Sequence, residues 1–102
     1  MTPTILTAVK WSMVRLPKGA GTDDLFRVAK AAGFNGISLT GPGVYVVDEV
    51  KRARDTHELP VHNINIAEHW EVRLSDPDPA VREAALRNTI GAIEFAHAVG
   101  AS

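Results

Sequence analysis

The sequence predicts an α/β fold made of three successive βα units with parallel strands. Three observations carry this expectation. Short β-branched or apolar runs alternate with longer stretches of helical spacing along the whole chain. Glycine and proline clusters punctuate the changes from one to the other. The resulting order, β-α-β-α-β-α, joins successive strands through a helix, which favours parallel pairing with right-handed crossovers.

The first strand is expected over Thr4–Val9, a run of β-branched and apolar residues. Pro17, Gly19 and Gly21 make the next stretch a loop. Thr22 or Asp23 then caps a helix, with Asp23 and Asp24 favourable at its positive end. Leu25, Val28, Ala29 and Ala32 follow at helical spacing. Gly33 ends that helix in a left-handed conformation, and Phe34 packs back on its last turn. The second strand spans Asn35–Leu39 and stops at Thr40-Gly41-Pro42-Gly43. A second helix is expected from about Tyr45 to His57, with Val46, Val47, Val50, Ala53 and Arg54 as a mixed face. Pro60 blocks its continuation. Val61–Ile66 alternates apolar and polar residues, the pattern of a third strand, and a polar loop follows over Ala67–Asp76. Asp78-Pro79 opens the third helix, with Asp as cap and Pro at the first helical position. Its apolar stripe is Val81, Ala84, Ala85, Ala92, Ala96 and Val99, widened by Ile90 and Ile93, and Gly100 closes it.

Strand starts near residues 4, 35 and 61 divide the 102 residues into three units of about 34. Eight such units come to roughly 270 residues, the size of a (β/α)8 barrel. Residues 1–102 are therefore expected to form a single partial domain, the N-terminal portion of such a barrel. A complete small α/β domain is the competing reading. Three strands and three helices cover one sheet face and leave two edges unpaired. A non-catalytic fragment that self-associates into a homo-oligomer through those edges is thus a rival to the enzyme reading.

Composition narrows the function classes. Hydrophobic residues make up 45% and charged residues 23%, the balance of a globular protein. Eleven Lys and Arg against twelve Asp and Glu leave a formal charge of −1, so no strong field draws nucleic acid or an anionic membrane. Without cysteine, disulfides, zinc–thiolate sites and thiol nucleophiles are excluded. No apolar run approaches the ~18 residues of a membrane span, and Met1–Lys10 lacks the features of a signal peptide. Cytoplasm is the expected compartment.

Binding residues in parallel α/β proteins gather at the carboxyl ends of the strands. After strand one sit Lys10 and Trp11; after strand two, Ser38, Thr40 and Gly41; after strand three, Asn65, Glu68, His69, Trp70 and Glu71. His69 can move protons near neutral pH or bind an oxygen. Trp70 can wall a sugar ring, and Glu68 and Glu71 can accept from hydroxyls. The bland alternative is an exposed polar loop with Trp70 folded inward as a plug. Lys10 can attract a phosphate or carboxylate, or be solvated; Trp11 can contact ligand or fill the mouth of a barrel. His62 opens strand three at the opposite end and is expected to be structural, while His57 and His97 are expected at the surface. No metal-ligand spacing, P-loop or dinucleotide fingerprint is complete.

Taken together, Lys10-Trp11-Ser12-Met13, Ala32-Gly33-Phe34-Asn35-Gly36-Ile37-Ser38-Leu39, His69-Trp70, Leu74-Ser75-Asp76-Pro77-Asp78-Pro79-Ala80-Val81-Arg82 and Ala96-His97-Ala98-Val99-Gly100-Ala101 resemble the sugar phosphate isomerase/epimerase family. These are xylose isomerase-like TIM barrels, and the hydroxypyruvate isomerase-like branch is the most similar in flavour. The resemblance covers the first three βα units of such a barrel. It implies a metal-dependent enzyme acting on a small sugar or keto-acid, with a divalent cation as Lewis acid and proton transfer beside a carbonyl through an enediolate. The implied metal ligands come from later strands, so none is expected on this chain alone. Lys10, Trp11, Asn65, Glu68, His69 and Trp70 map to substrate-side walls. The family usually has Glu where Ser38 stands, which puts the role of strand two in doubt. A metal-dependent AP endonuclease-like barrel is the alternative enzyme class, disfavoured by the balanced charge.

Overall fold

The computed structural model describes residues 5–102. Three strands, β1 (Ala8–Lys10), β2 (Gly36–Thr40) and β3 (Val61–Asn65), form one parallel sheet in the order β1-β2-β3. Three helices, α1 (Thr22–Ala31), α2 (Val47–His57) and α3 (Pro79–Val99), connect and follow them. The expected three parallel βα units are therefore present.

The core lies between one sheet face and the helices. Val9, Ile37, Leu39 and Val61 from the strands meet Leu25, Phe26 and Ala29 of α1, Val50 and Ala53 of α2, and Phe95 and Val99 of α3. β2 is central, and four of its five residues are buried. Among the described residues, the helices pack on one sheet face and none covers the other.

The helix ends follow local chemistry. Asp78 Oδ1 accepts from the Ala80 N–H at 2.9 Å, and Pro79 occupies the first helical position. At the end of α1, Gly33 takes a φ of +94°. Its N–H donates to Lys30 and the Phe34 N–H donates to Ala29, which closes the helix in a Schellman motif. Gly100 ends α3 in the left-handed region as well.

Several boundaries differ from expectation. β1 is Ala8–Lys10, because only those residues have register partners on β2; Thr4 lies outside the described residues, and Ile5 and Leu6 are exposed. The cap of α1 is Gly21, not Thr22 or Asp23. Its N–H donates to Asp24 Oδ2 at 3.0 Å, so the acid three residues on does the capping. β2 is shifted one residue, to Gly36–Thr40, because the Asn35 N–H and Oδ1 are engaged by Thr7 instead. α2 starts at Val47; Tyr45 packs on the core and Val46 is exposed. In α3, Ile90 and Ile93 face away from the core, and Phe95 fills the place they were expected to take. His57 is not a free surface group. Its Nε2 lies 2.8 Å from Asp23 Oδ1 and its side chain is largely covered.

β3 departs from simple alternation. Ile37 pairs with Val61, but Ser38 pairs with Asn63, so β3 carries one extra residue, His62. Val61 is buried toward the helices, while His62 and Asn63 are both exposed.

Two carboxylates make stability acid-sensitive. The Gly21 N–H, then the Arg27 guanidinium, hold Asp24 below its ordinary 3.8. The Arg54 guanidinium does the same for Asp55. A carboxylate depressed in the folded state stabilises above its unfolded value and loses that contribution as pH falls through the folded one. Melting temperature is therefore expected to be flat from neutral pH down to about 4, then to fall. Asp24→Asn, which keeps an acceptor but does not titrate, is expected to shrink the acid drop in thermal melts. An equal drop in both proteins excludes Asp24 as a cause.

Candidate functional site

The carboxyl ends of all three strands open on one rim. At β1, a 3-10 turn over Trp11–Met13 follows Lys10 directly, with the Val14 N–H closing on the Trp11 carbonyl at 3.2 Å. This tight turn brings Lys10 Nζ to 5.0 Å from the centre of the Trp11 ring, a cation–π contact. Lys10 is exposed, and Trp11 is half-buried with its body against the core. Trp11 thus fills part of the mouth and also holds a cation.

At β2, the Thr40 hydroxyl donates to the Asn65 carbonyl at 3.0 Å and the Gly41 N–H donates to the same oxygen at 3.1 Å. The role of Asn65 visible here belongs to its backbone, which pins the ends of β2 and β3 together. Among the described residues, Thr40 is the one buried polar side chain.

At β3, the segment expected as a plain loop begins with a 3-10 turn over Ala67–Trp70. Its compactness follows from two carbonyls that accept twice. Ile66 O receives the His69 N–H and lies against His69 Nδ1; Glu68 O receives the Glu71 and Val72 N–H groups. With Nδ1 held by that carbonyl, Nε2 is the ring nitrogen left toward solvent. The His69 and Trp70 rings sit 4.7 Å apart at 39°. Trp70 is 78% exposed, so it is not an inward plug. Glu68 and Glu71 are exposed beside it.

The site residues therefore gather as two pairs, Lys10 with Trp11 and His69 with Trp70, with the end of β2 between them. Behind the second pair, a groove of about 600 Å³ runs between the loop and α3, lined by Ile66, His69, Trp70, Arg73 and Asn88 among others. Sequence reasoning did not single out Arg73 or Asn88, which converge only because α3 folds back beside the loop. Tyr45 lines a second depression beside Trp11, and burial raises its phenol above the usual value.

Among the described residues, no three His, Asp or Glu side chains come together in a way that could hold a metal ion. These residues do not fit the divalent ion that the resemblance implies. Nor is any helix among the described residues long and apolar enough to cross a membrane.

Comparison with known proteins gives a family. Residues 26–102, from inside α1 to the end of the chain, match the family described as xylose isomerase-like TIM barrel. No curated protein matches the chain.

Proposed function

The chain belongs to the xylose isomerase-like TIM barrel family, and from that premise we propose that its three units form the substrate-side wall of a sugar isomerase or epimerase. The substrate is a small sugar or keto-acid. The observation that carries the reading is the exposed Trp70 indole beside His69 at the carboxyl end of β3. An indole face suits the C–H face of a sugar or its open-chain form, and a half-tethered imidazole suits its hydroxyl or carbonyl oxygen. Glu68 accepts from substrate hydroxyls, and Lys10 over Trp11 marks the far wall.

The chemistry proposed for this chain is binding and orientation. Among the described residues no ligand set for the divalent ion that the resemblance implies comes together, so the role proposed here is confined to this chain's own side chains. Charge favours sugar over nucleic acid within the same family. A net −1 supplies no overall positive field for a phosphate backbone. A cytoplasmic enzyme without a membrane or nucleic-acid partner completes the proposal.

The test is solvent-deuterium incorporation beside the carbonyl of small aldoses, ketoses and keto-acids. It uses the product of the complete reading frame that contains this chain, with added divalent metal. Trp70→Ala is expected to raise KM by about tenfold with a smaller change in kcat, as loss of roughly 1.4 kcal/mol of uniform binding does. Absence of incorporation with every such substrate overturns the reading.

A further inference from the structure

α3 carries two apolar faces. One buries Ala85, Ala92, Phe95 and Val99. The other is Leu86, Ile90 and Ile93, which are 51%, 47% and 64% exposed. At roughly 100° per residue these three fall within about 60° of one another, on the side of the helix turned away from the core. His97, also exposed, continues the line by one turn. The helices of a barrel form one outer ring, so a neighbouring unit flanks α3 and does not cover its outer side. Single exposed apolar residues are ordinary, but three in line on an outer helix face mark a contact surface.

The charges beside the stripe decide what it contacts. Glu83, Arg87 and Glu94 lie along one flank, all exposed. Arg87 Nη1 meets Glu83 Oε1 at 3.3 Å, an exposed pair that leaves the rest of the guanidinium fork free to take a second carboxylate. Two such helices packed antiparallel about a two-fold axis bring like flank to like flank, with the order of residues reversed. With the axis at Ile90, Leu86 of one copy meets Ile93 of the second, and Ile90 meets its own equivalent. The same axis brings Arg87 to Glu94 of the second copy, and Glu83 to the second copy's His97. Each pairing sets the axis at the same place, to within about half a residue. A parallel pair instead sets Arg87 on Arg87 and Glu94 on Glu94, and like charges so placed repel. The face is complementary to itself in one orientation only.

We infer that the outer face of α3 is an isologous dimer contact, and that its occupant is α3 of a second copy of this chain. The inference is independent of the isomerase reading. Three apolar side chains from each copy make a small interface, below about 1,200 Å² in total, so the dimer is weak and forms at about 10 µM to 1 mM protein. The charges at its rim choose the antiparallel orientation more than they add affinity.

The experiment is sedimentation velocity of the 102-residue chain across that concentration range, with circular dichroism to report the helix content of each variant. A concentration-dependent passage from monomer to dimer is expected. Ile90→Glu, which sets two carboxylates together at the axis, is expected to weaken the dimer at least about tenfold. Arg87→Glu alone and Glu94→Arg alone are each expected to weaken it about three- to tenfold. Combined, they exchange the charges across the axis and are expected to restore the parent affinity to within about twofold. All three positions are exposed, and should Ile90→Glu lose its helical signal, the charge-exchange set decides by itself. A monomer at every concentration, or a double variant no tighter than the single ones, overturns the contact. A dimer that survives a folded Ile90→Glu is held by the open sheet edges, which overturns it as well.

Discussion

Phe26→Ala is expected to remove the cooperative unfolding transition, or to lower its midpoint by at least about 12 °C. Phe26 is fully buried and is the largest of the enclosed side chains, at the centre of a core shared by α1 and the sheet. Truncating such a ring costs about 3–5 kcal/mol, because the transfer loss and the cavity add. For a chain of this size each kcal/mol is worth roughly 4–8 °C. A three-stranded sheet with one face uncovered has few other contacts over which to spread that loss. Phe26→Leu, which keeps most of the volume, is expected to retain a cooperative melt. Circular dichroism checks both; a drop below about 5 °C for the alanine variant places the centre of the core elsewhere.

Gly91→Val is expected to destabilise by about 2 kcal/mol in urea titrations, through overpacking. A Cβ on Gly91 would stand 3.0 Å from Pro42 Cγ and 3.2 Å from its Cβ. The ring cannot simply swing away. Its neighbour Gly41 already lies against Phe95 and Ile64, where an added Cβ would have 3.3 Å and 3.5 Å. The loop that ends β2 is thus seated on α3 through two glycines. Gly91→Ala is the sharper comparison. In an open helix the change gains about 1 kcal/mol; here contact with Pro42 offsets that gain, and the net change is expected near zero. If both variants are as stable as the parent, the β2–α3 loop contact gives way freely.

Much of the fold was legible, and the reasons are local. Asp78-Pro79 and Gly33-Phe34 encode their helix ends within four residues, so they came out as the sequence implied. Boundaries set by partners did not. Nothing in Thr4–Val9 says that pairing begins at Ala8; β2 decides it. Ile90 and Ile93 look like core by hydropathy, yet the face of α3 that meets the sheet is chosen by Phe95 and Val99. Lys10, Trp11, His69 and Trp70 were legible as candidates because they lie at or just after strand ends. The side on which Asn63 falls was not legible, because alternation from Val61 assigns it with Val61, and only the extra residue in β3 reverses that. Arg73 and Asn88 come to line one groove only through tertiary folding and leave no local mark.

That extra residue also divides the strand mechanically. Below it, Val61 is locked into the core and the Ile37 N–H reaches the Pro60 carbonyl at 3.0 Å. Above it, Asn63 to Asn65 belong to a rim tied to β2 by the doubly used Asn65 carbonyl. A bulge interrupts the ladder between the two halves and lets a strand bend there. β3 is therefore two short ladders in series, one anchored through Val61 and the other through Ile64 and the Asn65 carbonyl, joined at a point where the strand can bend.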